Sequence, residues 1–324
     1  MPPAPDQPTP RRIRARWVKL LGTLIVVGFV VVFVAGEWSD ILDAVHRLDA
    51  ASIVGAFAFV LVGLFAAALS WRSVLAGMGS PLPVTAAARV YFLSQLGKYI
   101  PGSIWPVLAQ TELSTEYGVP RVRAGSAALT QLVVGLVVGI AVAGATLSVA
   151  SADALRAYWW LLFVAVAGIV MLVPAVFNRV MVLARRVLRR PGGDEISGRT
   201  LLRSAAWALV MWVTFGAHLW CLAAGSGVSS ANLGLLTTGA YALAWVVGFV
   251  IVFLPAGAGA REAALVLAMA PVMDRSTALA LALVSRALMI VGDFLCAGVA
   301  VLADKRHRAT TARRAPGAVL GDDR

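Results

Sequence analysis

The chain has 324 residues, of which 60% are hydrophobic and only 14% charged, with a formal net charge of +12 and a mean hydropathy of +0.84. Soluble domains carry roughly a quarter charged residues, so a water-soluble globule and a disordered chain are both poor fits. The basic residues sit in the tails and one loop, a pattern left by membrane orientation rather than by nucleic-acid binding. Cys221 and Cys296 lie in apolar runs without CxxC or Cys/His spacing, so neither a disulfide framework, a metal site nor a cofactor is expected.

Residues 1–16, Pro-rich with four arginines, read as a disordered basic tail, and Leu20 to Ala35 as an uncleaved first span. A span needs ~20 apolar residues. Five further runs qualify: 51–70, 124–150, 158–177, 204–224 and 276–303. Two segments, 84–115 and 234–272, are apolar but interrupted by Pro and Gly. The expected fold is therefore all-α and polytopic, with six full spans and two broken, re-entrant segments; 234–272 adds two crossings, for eight, if it spans and returns. A membrane domain covers 17–304, with a basic tail at 305–324.

Lys and Arg set the orientation. The stretch through Lys19 carries five, 178–203 carries seven and 304–324 six, whereas 37–50 has four acids and only Arg47. The positive-inside rule places both termini and 178–203 in the cytoplasm of a cell-membrane protein. One broken segment must then dip in from the cytoplasmic side, and the other must dip in from outside or cross and return.

The breaks share a pattern. Tyr99-Ile100-Pro101-Gly102-Ser103 and Phe253-Leu254-Pro255-Ala256-Gly257 place their prolines 154 positions apart, and the flanking spans keep offsets of 153 and 152. This is the signature of a repeat, with halves at about 51–150 and 204–303. The extra crossing at 158–177 inverts the second half, an arrangement that points to a transporter-type site near the midplane. The bland alternative is two kinked helices. Unwound backbone survives in hydrocarbon only where protein or a wet cavity covers it, so two opposed hairpins would enclose a polar cavity.

Charges mark the same places. Arg89, Lys98 and Glu112 flank the first break, Arg261 and Glu262 follow the second, and Arg286 and Asp293 lie seven residues apart in the last run, on one helix face. A charge at helix centre costs ~2.5–3.5 kcal/mol on insertion scales, so each needs a partner or water. Arg286 is expected to form an intramembrane pair with Asp293, or to pair with Glu262. An Arg fork matches phosphate, which makes Arg261 the first candidate for a headgroup contact. Lys98 is a second, unless it snorkels to the surface. Gln95, Gln110 and Gln131 read as interhelical glue, and His218 as a bundle residue or a proton-coupling one. Trp71, Trp159, Trp160 and Trp220 fit interfacial anchors, and Trp105 could face the cavity.

The stretches QLGKYIPGSIWPVLAQTEL (95–113) and FLPAGAGAREAALVLAMA (253–270) resemble the two signature regions of the lysylphosphatidylglycerol synthase transmembrane, or flippase-like, family, over roughly residues 17–304. The resemblance implies a protein like the translocating half of multiple peptide resistance factor, which moves aminoacylated phosphatidylglycerol between leaflets. Lys98, Pro101 and Gly102 match the first signature, and Arg261 and Glu262 the Arg-Glu of the second. The synthase's aminoacyl-transfer domain is not expected here, because the chain ends at 324 after a last span closing at 303. No G-x-x-x-x-G-K-[ST] loop is present, so ATP hydrolysis is not expected either.

The reading is a lipid translocator rather than an enzyme, binding headgroups through Lys98, Pro101, Gly102, Glu112, Arg261 and Glu262. Its partners would be membrane lipids of anionic or polyprenyl-phosphate type, with a partner enzyme of lipid or glycan synthesis. The alternative is a membrane-embedded transferase with Glu112 or Asp293 as base, or an accessory protein, in lipid-linked glycan synthesis.

Overall fold

The computed structural model describes residues 43, 46, 48–99, 104–150, 159–187, 195–251, 257 and 259–314. The expected first span, the tail at 1–16, Pro101, Gly102 and Pro255 lie outside the described residues. Ten helices and one 3-10 turn are described, and no strand is found among these residues. They are α1 (Ala50–Gly77), α2 (Val84–Gln95), a 3-10 turn (Leu96–Tyr99), α3 (Trp105–Thr115), α4 (Arg121–Ala150) and α5 (Trp160–Met171). After them come α6 (Pro174–Val187), α7 (Gly198–Gly225), α8 (Leu233–Val250), α9 (Ala260–Met269) and α10 (Arg275–Arg314).

Polar residues at the ends of the apolar runs start the long helices. Asp49 caps α1 by accepting the Ser52 N–H at 2.7 Å, and Ser197 caps α7 by accepting from Thr200 at 3.3 Å. At the head of α10, Asp274 accepts the Thr277 N–H at 2.9 Å and the hydroxyls of Ser276 and Thr277 at 2.5 and 2.7 Å. Those bonds hold its carboxyl well below the usual carboxylate range. Each cap satisfies N–H groups that the first helical turn leaves unpaired.

Five helices, α1, α4, α7, α8 and α10, are long and apolar enough to cross a membrane. The protein is a multi-pass membrane protein. Two expectations need correction. The run 158–177 is not one continuous span: α5 ends at Met171, and α6 leaves it at a bend of 83°. Pro174 explains the break, since it lacks an N–H and disfavours helical backbone in the residue before it. Trp71 is no interfacial anchor either; it is fully buried, as is Trp212, whose indole N–H donates to the Gly135 carbonyl at 3.0 Å. Trp159 and Trp220, by contrast, are exposed.

The two broken segments differ in build. In 84–115, α2 and α3 have 12 and 11 residues, or about 18 and 16 Å at 1.5 Å per residue, too short for a ~30 Å hydrocarbon layer. In 234–272, α8 has 18 residues and α9 only 10, so one arm is about 27 Å long and the other about 15 Å. Both pack into the bundle, α2 against α10 and α3 against α4, and α8 against α4, α7 and α9. Lys98, beside the first break, and Glu262, in the first turn of α9, both reach the middle of α10.

Candidate functional site

A cavity of about 220 Å³ lies where these elements meet. Its charged walls are Lys98 from the 3-10 turn, Arg261 from the first turn of α9, and Arg286 and Asp293 from α10. Gln95, Gln110 and Gln131, from α2, α3 and α4, also face it, with Tyr91, Tyr99, Trp245 and Phe249 among its aromatic walls.

Two ion pairs cross the cavity wall. Lys98 Nζ lies 2.6 Å from Asp293 Oδ2, and the Tyr99 hydroxyl donates to the same oxygen at 2.5 Å. The Tyr99 ring also stacks on Phe294, at 6.0 Å and 12°. Asp293 is 1% exposed, so its charge is held by these two donors and by little else. Arg286 pairs with Glu262. The second Glu262 oxygen accepts the Gly259 N–H at 2.6 Å, closing the N-terminus of α9, where Gly259 has φ of 83°. Thus each broken segment sends one charge to α10, and the signs are opposite.

The expected pair between Arg286 and Asp293 does not form. Seven residues place them about 10 Å apart along the helix axis, and each meets an opposite charge from a broken segment instead. Glu262 is not a wall of the cavity; both its oxygens serve Arg286 and the α9 cap. Glu112 is also corrected: its side chain is 61% exposed and pairs with Arg121 at 2.9 Å. Pro106 and Gln110, four residues apart, present one face of α3 to the cavity, and a residue two further on points away. Trp105 is exposed and does not line the cavity, whereas its neighbour Pro106 does. Arg89 ties the two arms of its own hairpin, reaching Glu116 at 2.7 Å.

Arg261 is held differently. Its guanidinium lies 4.6 Å from the centre of the Tyr241 ring, a cation–π distance. Among the described residues no carboxylate forms an ion pair with it. Tyr241 is in turn packed edge-on to His218, 4.7 Å between ring centres. His218 is fully buried; its Nδ1 meets the Phe215 carbonyl and its Nε2 the Ser285 hydroxyl at 2.8 Å. An Nδ1–H that donates to the carbonyl, with Nε2 accepting from Ser285, satisfies both nitrogens in a neutral ring.

The model of the lysylphosphatidylglycerol synthase TM region matches residues 19–296, most of the chain. The chain belongs to that family. The matched stretch contains both broken segments and every charged residue of the cavity, and membership assigns the protein a function connected with membrane lipids. No curated protein matches it at a significant level.

Residue-type reasoning missed the three glutamines, read as glue between helices, and Tyr99. A signal existed for Tyr99, which stands next to Lys98 at the break. Gln110 and Gln131 carry no such marker, since only the packing of α3 and α4 turns them inward.

Proposed function

We propose that this protein is a flippase-like transporter, moving a phospholipid or other amphiphilic lipid between leaflets. The headgroup passes through the cavity between the broken segments while the acyl chains stay in the bilayer. The observation that carries this reading is Arg261: a cation on the cavity wall, held over Tyr241, with no carboxylate partner among the described residues. A guanidinium in that setting is suited to a phosphate, which it can grip bidentately.

The cavity's size supports the same reading. About 220 Å³ is below the ~300–1,000 Å³ of pockets that enclose whole ligands, and fits a headgroup without its chains. In this reading 51–150 and 204–303 are inverted halves, both termini face the cytoplasm of a cell membrane, and the two segments open to opposite sides in turn. The protein then acts without group-transfer chemistry of its own. The competing reading, transfer to a polyprenyl-linked sugar, calls for a carboxylate poised as base. Asp293 already accepts from Lys98 and Tyr99 through Oδ2, which disfavours its acting as a base.

The test is leaflet exchange of labelled lipids in proteoliposomes, with wild type beside Arg261→Ala. Exchange reduced about tenfold or more in a variant that keeps its melting temperature is the expected result. Exchange unaffected by the substitution removes Arg261 from the proposed path.

A further inference from the structure

The charges around the cavity do more than mark it; they count the charge of its occupant. Three cations, Lys98, Arg261 and Arg286, and one anion, Asp293, form its walls, with Glu262 behind Arg286. The pairs Lys98–Asp293 and Arg286–Glu262 cancel, which leaves, among the described residues, the single positive charge of Arg261. Residues 100–103 and 252–256 at the two breaks are Ile-Pro-Gly-Ser and Val-Phe-Leu-Pro-Ala, so they add no ionisable side chain. His218, which packs on Tyr241 nearby, is satisfied as a neutral ring. In a partly buried cavity, with Asp293 only 1% exposed, an unbalanced charge is disfavoured, so an occupant with one negative charge fits best.

Two buried polar atoms describe the rest of that occupant. Gln110 is 3% and Asp293 1% exposed, both line the cavity, and Gln110 Nε2 and Asp293 Oδ1 have no hydrogen-bond partner among the described residues. One is an unused donor and the other an unused acceptor. Gln95 and Gln131 add carboxamides, which both donate and accept. A hydroxyl group meets this set on both counts, donating to Asp293 Oδ1 and accepting from a glutamine. An ammonium at Asp293 Oδ1 would instead sit beside the Lys98 ammonium, which already occupies Oδ2 at 2.6 Å, and the like charges would repel. A doubly charged phosphomonoester would exceed the single positive charge of the walls.

Resting on the translocator reading above, we infer that the cavity takes a phosphodiester headgroup of one negative charge whose remainder is uncharged and bears hydroxyls, such as a glycerol or a sugar. Arg261 holds the phosphate, and Gln110, Gln131 and the free Asp293 oxygen hold the hydroxyls. Headgroups that carry an amine are disfavoured.

The experiment measures binding and movement separately on the full chain. Binding to the purified protein is compared for phosphatidylglycerol, a glucosyl phosphopolyprenol, phosphatidylmethanol (same charge, no hydroxyl), lysyl-phosphatidylglycerol and phosphatidic acid. The first two are expected to bind about tenfold tighter than the other three. Deacylated glycerophosphoglycerol is the competitor that separates headgroup from chains, and preference between the first two lipids identifies the chain type. Gln110→Leu, with Gln131→Leu as the second variant, is expected to shrink the ratio of phosphatidylglycerol to phosphatidylmethanol binding. Equal or tighter binding of lysyl-phosphatidylglycerol, or a ratio to phosphatidylmethanol near one, overturns the inference. Leaflet exchange of the same lipids keeps the two readings apart. Discrimination in binding without any exchange sinks the translocator and leaves the headgroup class standing; exchange without discrimination does the reverse.

Discussion

The two Pro/Gly-broken segments solve one problem in opposite ways. The first consists of two short arms, α2 and α3, and is tied to α10 at two levels. At its tip Lys98 and Tyr99 reach Asp293. Beyond α3, the Tyr117 hydroxyl donates to Asp304 at 2.8 Å, and Arg308, which also pairs with Asp304, lies 4.5 Å from the centre of the Tyr117 ring. The second segment has one long arm and one short one, and is tied by Glu262 to Arg286. To that ion pair the second adds a close backbone contact. Gly257, at φ of 69°, sits so near α8 that a Cβ there would come within 2.8 Å of Gly248 Cα. A broken helix can thus be anchored by ion pairs or by glycine contact, and the choice decides which substitutions it tolerates.

The largest contrast should appear at the ion pairs. Lys98→Met leaves the Asp293 carboxylate, 1% exposed, without its counterion. Removing one partner of a buried pair costs about 3–5 kcal/mol, so a marked fall in detergent-solubilised melting temperature is expected. Arg286→Met should cost less, because Glu262 keeps the Gly259 N–H and its side chain is 10% rather than 1% exposed. Lys98→Met combined with Asp293→Leu should recover much of the first loss. Equal losses at the two pairs would erase the distinction drawn above.

A smaller effect tests the backbone half of the comparison. Gly257→Ala places an L residue in left-handed backbone, at about 1–2 kcal/mol, and adds a clash with α8. Gly97, in the first segment, would set its Cβ 3.1 Å from the Pro106 nitrogen without a positive φ, so Gly97→Ala should destabilise less. Chemical denaturation of the two variants in the same detergent compares them directly, and a costlier Gly97→Ala would reverse the assignment.

The smallest effect belongs to Glu112→Ala. Exposed pairs such as Glu112–Arg121 add little to stability, so stability should barely change and leaflet exchange should match wild type. Reduced exchange in this variant would return Glu112 to the path and make the exposed face of α3 part of it.

Much of this arrangement was legible along the chain because its signals are local. Lys98, Arg261, Glu262, Arg286 and Asp293 stand out as charges among apolar residues, and four of the five do line the cavity. Pairing was legible only in part: Arg286–Glu262 was one of two expected pairs and forms, but Tyr99 and Asp293 are 194 positions apart, and nothing in either neighbourhood specifies the other. Glu112 was misplaced by two positions on a helix whose inner face is set by Pro106 and Gln110. The glutamines were undervalued because an amide in a membrane helix reads the same whether it joins helices or faces a cavity.

By itself the sequence determined the membrane class, the long spans at 51–70, 124–150, 204–224 and 276–303, and the two Pro/Gly breaks. Apolar transfer, proline geometry and charge cost act over a few residues and add along the chain. Only the tertiary structure decided that Lys98 meets Asp293 and Glu262 meets Arg286, that 158–177 bends rather than crossing straight, and that Arg261 is left facing the cavity over Tyr241. Those outcomes depend on which distant helices pack together, and a buried charge takes the nearest partner that packing brings to it.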